Sequence, residues 1–272
     1  MSERKNLGNA MTKNSLFYNN RTMTSLRKYV GKQLVSFLRK DNFAHAGESE
    51  AIDLVMSAYN NHRFEHLLDV GCGLGGTAQY IKDKGWSKTI SGFDVDSEAI
   101  DYATSTYKDL NFTCCDVFNV SNNISTSFDM FCLFNVFYAF SDQKKALHEL
   151  SLIARKGAQL AIFDYSDPCE GKHTPLKRDG KDGRTPFIPV KLDTIETMLS
   201  DTAWRPIEIV DISDQYTHWY SQLCTLLIEN KSNVIDRFNE EAFDNALSTY
   251  SKLTDAIQKK LLGGTIVYAE KR

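Results

Sequence analysis

Leu67-Leu68-Asp69-Val70-Gly71-Cys72-Gly73-Leu74-Gly75-Gly76 is the stretch whose reading decides the fold. An apolar run of strand length (residues 66–70) ends in a cluster of glycines, and residues 77–84 beyond it have a helical pattern. A strand that turns on glycines into a helix is the opening unit of an α/β nucleotide-binding sheet. Gly71, Gly73 and Gly76 also spell G-x-G-x-x-G, the dinucleotide fingerprint. Asp69 separates a phosphate-bearing ligand from a cationic one. A carboxylate just before the turn would face a pyrophosphate with like charge, which is costly at that range. A ligand bearing a sulfonium and an amino group tolerates it.

Working outward, residues 89–93 read as a second strand capped by Asp94, nineteen residues after Gly75. An acid there can accept both hydroxyls of a ribose. Residues 97–107 read as a helix, 111–115 as a third strand ending at Asp116, 128–134 as a fourth, 143–154 as a helix and 158–163 as a fifth strand ending at Asp164. Asp116 stands where it can take a hydrogen bond from an adenine amino group. Three acids at three successive strand ends share one edge of a sheet, and together they point to a nucleoside. Asp94 or Asp116 alone is open to a helix-cap reading.

The flanks differ in texture. Residues 1 to about 12 are polar and without period. Residues 23–38 are amphipathic, and a second helix carries Ala51, Leu54, Val55, Ala58 and Tyr59 on one face. The expected organisation is a tail and helical cap over residues 1–60 and a core over 61–272. Within the core, 166–188 is a polar lid loop and 213–262 a helical insertion, with a helix at 193–199 and late strands at 207–212 and 264–269.

The balance of 42% hydrophobic and 25% charged residues suits a folded globular chain. A net charge of −3 argues against nucleic acid as main partner, because backbone binding needs a basic surface. No apolar run reaches the roughly 18 residues of a membrane span. The first thirty residues lack a signal-peptide core. The six cysteines show no metal-ligand spacing and read as reduced thiols. A cytoplasmic monomer or homodimer without metal is expected.

Asp69-x-Gly71-x-Gly73-x-Gly75, then Gly92-Phe93-Asp94, Cys115-Asp116 and Phe128-Asp129, resemble the class I methyltransferases that use S-adenosylmethionine (SAM), over about residues 64–165. The resemblance implies an α/β, Rossmann-like, seven-stranded and mostly parallel sheet with helices on both faces and the sixth and seventh strands reversed. It implies SAM as cofactor and S-adenosylhomocysteine as product. Asp69 would lie near the methionine amino group, Gly71 and Gly73 would line the turn with Cys72 as filler between them, and Asp94 would hold the ribose. Asp116 would read adenine, with Val95 and Val117 beside the two aspartates, and Asn135 would face the methionine end. The cap, Phe163-Asp164-Tyr165 and the aromatic-bearing insertion are similar in order to the small-amine N-methyltransferases, such as the phosphoethanolamine and the glycine, sarcosine or dimethylglycine enzymes. One departure stands out: Asn135 occupies the place of an Asp in the phosphoethanolamine enzymes.

Methyl transfer from a sulfonium is a direct displacement that needs alignment, exclusion of water and no metal. Asp164, Tyr138 and His45 are the candidate catalytic residues. Phe43, Tyr138, Tyr165, Tyr216 and Trp219 are the candidates for holding a small-molecule acceptor, with Tyr29 and Tyr220 as further aromatics. Core or lid packing is the competing reading for each aromatic, and a helix cap for His45. His173 and the basic residues of 172–184 read as a solvated loop that could also meet an anionic group. An amine nitrogen is the expected acceptor. An O- or C-methyltransferase of an apolar molecule, or a non-catalytic SAM-binding regulatory protein, are the alternatives. Phe134-Asn135-Val136-Phe137 lacks the Asn/Asp-Pro-Pro-aromatic signature of enzymes that methylate base amines.

Overall fold

The computed structural model describes residues 30–60, 62–169 and 186–272. The expectations for the tail, Tyr29, His173 and the basic residues of 172–184 lie outside these. The described part of the first helix, α1, covers residues 30–39 and buries Leu34, Val35 and Leu38. After a turn comes α2 (Glu48–Met56), with Glu48 and Glu50 in its first turn, where the helix dipole favours acids. Its face of Ala51, Ile52, Val55 and Met56 is buried.

The sheet then begins. Its first half runs β1 (Phe64–Val70), α3 (Gly76–Asp83), β2 (Ser87–Asp94), α4 (Ser97–Thr106), β3 (Asn111–Cys114), a short α5 (Val120–Asn123) and β4 (Phe128–Phe134). The second half runs α6 (Gln143–Leu152), β5 (Ala154–Asp167), β6 (Val190–Lys191), α7 (Ile195–Asp201) and β7 (Trp204–Asp211). Three helices follow, α8 (Ser213–Glu229), α9 (Lys231–Arg237) and α10 (Glu240–Gln258), before β8 (Gly263–Lys271) closes the chain.

The strand order is β3-β2-β1-β4-β5-β8-β7, with the two-residue β6 beside the end of β5. That makes seven strands along the path and an eighth off it. β8 is antiparallel to both neighbours, so β7 runs with the parallel set. Only the last strand is reversed, where the resemblance implied two. The reason is connectivity: the chain leaves β7, runs through α8–α10 and returns alongside its own exit. β5 also extends further than expected, because Tyr165 and Ser166 pair with Gly264 and Gly263 of β8. Ser166 and Asp167, expected to open the polar lid loop, therefore belong to this strand.

Alternation along the strands divides the core. Met130, Cys132 and Phe134 of β4 and Ala161, Phe163 and Tyr165 of β5 face a layer made by α1–α3 and α8–α10. Phe131, Leu133, Leu160 and Ile162 face the opposite layer, with Leu147 and Leu150 of α6 and Leu199 of α7. Both faces are covered, which is why these strands read as continuous apolar runs. Trp204 sits fully buried in the second layer, and its indole N–H donates to the Leu147 carbonyl at 3.0 Å. No helix among the described residues is long and apolar enough to cross a membrane.

Candidate functional site

In an open parallel sheet a crevice forms where the strand order reverses, outside the carboxyl ends of the strands. Here that point lies between β1 and β4. A cleft of about 870 Å³ opens there and runs from Asp94 and Asp116, past Asn135, to Tyr165 and Tyr220. β1 ends in Gly71, Gly73 and Gly75, all with positive φ (70°, 52° and 85°), and Gly75 caps α3. Gly71 and Gly73 line the cleft. Such a backbone can turn tightly and let a ligand approach closely.

Asp94, at the end of β2, is not a helix cap. Its Oδ2 accepts from the Gly73 N–H (2.9 Å) and its Oδ1 from the Asp96 N–H (3.0 Å). Asp96 is the cap of α4. Lys32 of α1 reaches across the cleft to both carboxylates, 3.3 Å from Asp94 and 3.2 Å from Asp96. Burial works against its ammonium, yet the two carboxylates outweigh this and raise its pKa. Asp116 caps the short turn after β3 by accepting from the Phe118 N–H (3.0 Å), and it also lines the cleft. Asp116 is thus a cap whose residue also lines the cleft. Val95 and Val117 line the same wall, and Val95 is 66% exposed, an apolar surface open to a ring.

Asp69 lies behind this wall. It is buried, and burial first, then the neighbouring Asp94 charge, pushes its carboxyl up to about 7. It accepts from the Ala78 N–H, while its Oδ2 has no partner among the described residues. An unpartnered buried carboxylate oxygen beneath a glycine turn fits a ligand that brings a cationic donor. Cys72 points away from the cleft: a Cβ on Gly92 would meet its Sγ at 2.9 Å. Its side chain is filler, and burial raises its thiol well above the usual range.

Asn135, directly after β4, joins three elements from a left-handed conformation (φ 49°). Its Oδ1 accepts from the Ala46 N–H (3.1 Å), ahead of α2, and its Nδ2 donates to the Tyr216 hydroxyl of α8 (2.8 Å). It also bonds the Asp164 carboxylate. Asp164 is fully buried, and its oxygens accept from the Tyr138 N–H (3.1 Å) and the Tyr165 N–H (2.7 Å). Burial raises its carboxyl to about 7 against these hydrogen bonds, which lower it. The structure thus sets Asp164 behind the cleft, outside its lining. Alternation explains it: Phe163 and Tyr165 face the cap and insertion, and the residue between them points the other way. Asp164 positions the turn that presents Tyr138.

The far end of the cleft is walled by tyrosines. Tyr138 packs edge-on to Tyr165 (5.1 Å), Tyr165 stacks on Tyr220 (6.2 Å) and Tyr220 on Tyr250 (5.9 Å). The Tyr165 and Tyr220 hydroxyls share a short hydrogen bond. Burial raises both phenols, so they act as neutral groups. Phe187 closes the wall, 5.1 Å from Tyr138. Tyr250 and Phe187 were absent from the sequence-based candidates. Tyr250 fits a helical apolar period and Phe187 falls within the segment the sequence marks only as polar, so neither carries a local signal.

His45 lines the cleft and stacks on Phe134 (4.8 Å), but both ring nitrogens are committed. A carbonyl only accepts, so Nδ1 donates to the Ala46 oxygen (3.0 Å) and Nε2 accepts from the Thr77 hydroxyl (3.1 Å). Burial lowers its pKa to about 4. It is a neutral structural imidazole. Phe43, Tyr216 and Trp219 are buried outside the cleft lining. The Trp219 indole lies against Gly47 and donates to Glu50 (2.9 Å), so it clamps α8 onto α2.

Residues 68–162 match the family described as methyltransferase domain. An O-methyltransferase of Pyrenophora dematioidea is 28% identical over 156 residues, 54% of this chain and 57% of that protein. Phosphoethanolamine N-methyltransferase 1 of Zea mays is 21% identical over 76% of this chain and 42% of its own length. The chain spans about half the length of the curated relatives it matches. Among solved structures, phosphoethanolamine N-methyltransferase 2 of Haemonchus contortus, in complex with phosphomonomethylethanolamine and S-adenosylhomocysteine, superposes with a TM-score of 0.76 at 16% identity, covering 89% of this chain and 57% of that one. The cyclopropane synthase MmaA2 from Mycobacterium tuberculosis gives 0.73 at 13%, covering 87% and 94%. The fold is that of the class I methyltransferases, and the centre of this chain is a methyltransferase domain of the SAM-dependent type.

Proposed function

We propose, from the premise that residues 68–162 form a SAM-dependent methyltransferase domain, that the chain methylates a small molecule seated against its tyrosine wall. One observation carries this reading: a single cleft joins the Asp94–Asp116 edge to Tyr138, Tyr165, Tyr220 and Tyr250. In this reading the Asp94 carboxylate takes the ribose diol, Val95 and Val117 flank the adenine, and Asp116 accepts from its amino group. Asp69 answers the methionine ammonium from below. SAM supplies an electrophilic methyl on a sulfonium sulfur.

The chain's own share is alignment and exclusion of water. An acceptor lone pair forms the new bond to the methyl carbon as the carbon–sulfur bond breaks, and that electron pair stays on sulfur. Among the described residues, the tyrosine end has no side chain poised to take a proton, because His45 is committed and Asp164 lies behind the wall. The acceptor therefore arrives already nucleophilic, as a neutral amine or an oxyanion. Nitrogen is our first reading. Methylating a neutral amine creates positive charge, and stacked tyrosine faces attract a cation by about 0.5–2 kcal/mol each. Oxygen is the second, favoured by the absence of any carboxylate at the tyrosine end among the described residues.

Release of S-adenosylhomocysteine against phosphoethanolamine, glycine, sarcosine, dimethylglycine and a phenol tests both. Turnover of an amine supports the first reading, and turnover of the phenol alone moves the acceptor to oxygen. No turnover of any, with SAM bound, retires the amine reading and leaves an apolar acceptor or a non-catalytic binding role.

A further inference from the structure

Asp94 is short of lone pairs for the ligand it is expected to take, and Lys32 is the cause. Each carboxylate oxygen offers about two acceptor sites. Oδ2 already serves the Gly73 N–H at 2.9 Å and the Lys32 ammonium at 3.3 Å, while Oδ1 serves the Asp96 N–H and keeps one site open. A ribose diol bound across both oxygens needs one site on each, so one donor must leave Oδ2. The Gly73 N–H is fixed by a backbone that turns at φ 52°. Lys32 is a flexible side chain with a second partner already in contact, Asp96, at 3.2 Å. Its stem also lies over the glycine turn, since a Cβ on Gly73 would come within 3.9 Å of Lys32 Cε.

We propose that Lys32 is a cofactor-binding determinant of a competitive kind: it holds the ribose seat on Asp94 in the free protein and is handed to Asp96 when the diol arrives. This rests on the SAM reading above. The same helix carries Val35 and Arg39, which line the cleft beyond His45, and Arg39 donates to the His45 carbonyl and pairs with Glu48. A ligand that binds the released form better shifts the population toward it.

Calorimetric titration with S-adenosylhomocysteine tests the exchange on the full chain. In Lys32→Met the competitor is gone, and affinity should rise about fivefold, the size of one partly exposed ion pair. In Asp96→Asn the cap is kept but the alternative partner is weakened, and affinity should fall by a similar factor. Added salt should tighten binding to the parent and have no such effect on Lys32→Met. Weaker or unchanged binding by Lys32→Met, with the parent binding normally, overturns the exchange and leaves the SAM reading intact. A parent that binds no S-adenosylhomocysteine overturns both. If Lys32→Met fails to fold, Asp96→Asn and the parent's salt response decide: tighter or equal binding by Asp96→Asn refutes the exchange.

Discussion

Replacing Gly71 by alanine should destabilise the protein far more than the same change at Gly73, although both lie in one turn. Each residue has positive φ (70° and 52°), so either alanine meets a left-handed backbone cost of about 1–2 kcal/mol. What differs is the space. A Cβ on Gly71 would stand 2.3 Å from Val136 Cγ2 and 2.9 Å from its Cβ, whereas a Cβ on Gly73 finds nothing nearer than 3.9 Å. Val136 cannot swing away freely, because its neighbour Asn135 is tied to Ala46 and Tyr216 and its own carbonyl accepts from Ala139. Overpacking of this kind adds about 1–3 kcal/mol. The total for Gly71→Ala is about 2–5 kcal/mol, against about 1–2 kcal/mol for Gly73→Ala. Thermal and urea melts read the difference, a gap between the variants of roughly 2–10 °C for a chain this size. Val136→Ala in the Gly71→Ala background should recover the steric share, scored as a coupling in a double-mutant cycle. Binding should behave differently: Gly73→Ala, whose methyl projects into the cleft, should lose S-adenosylhomocysteine affinity out of proportion to its stability. Equal melts for the two single variants, or no recovery on trimming Val136, would refute the reasoning.

Three further outcomes follow from the buried titratable groups. Asp69 is raised to about 7 in the free protein, and a cationic ligand group favours its ionised form, so S-adenosylhomocysteine affinity should climb with pH up to about 7 and level off above it. Asp69→Asn should flatten that profile in calorimetry, and a flat parent profile would count against the assignment. His45 is lowered to about 4, so its stabilisation is complete above the ordinary histidine value and is lost as pH falls through about 4. Acid melts of His45→Gln should lack that limb while its turnover stays within about tenfold of the parent; a loss of the order of general acid–base catalysis, about 10²–10⁴-fold, would restore His45 as a catalytic residue. Asp164→Ala removes the acceptor of the Tyr138 and Tyr165 N–H groups, at about 1–3 kcal/mol for the buried Tyr165 donor, and should lower kcat more than it raises KM because the wall shifts. Unchanged stability and kcat would remove its positioning role.

The glycine turn and the strand-end aspartates were legible because their signals are local. A strand, a glycine turn and a helix are contiguous, and Asp94 and Asp116 stand at strand ends that hydrophobic period alone predicts. The lining of the acceptor end was not, because it is assembled from α1, the end of β5, α8, α10 and the stretch at Phe187. Helical period marks Tyr216, Trp219 and Tyr220 equally as apolar face, and only the packing decides that Tyr220 reaches the cleft while the other two clamp the insertion. Asp164 could have been placed better from the sequence. Strand alternation from Phe163 and Tyr165 already points it to the other face. The single reversed strand follows from where the chain re-enters the sheet, which is a long-range pairing with no short-range signature.

The ends of the α8–α10 excursion have a consequence for how acceptor range can change over time. Asp211 and Thr265 are paired rungs of β7 and β8, and the exit is pinned by the Gly264 N–H donating to Ser213 Oγ (3.1 Å) and the Ile212 N–H to the Gly264 carbonyl (3.0 Å). A fifty-residue detour thus departs and returns at one point of a finished sheet. Closing a longer or shorter detour across the same gap costs only about 0.6 kcal/mol per doubling of its length. Tyr220 and Tyr250 travel with that detour, while Asp69, Asp94 and Asp116 stay behind on the strands. Selection can therefore exchange the Tyr220 and Tyr250 share of the wall by recombination at a single hairpin rung, while Tyr138 and Tyr165 stay with the sheet.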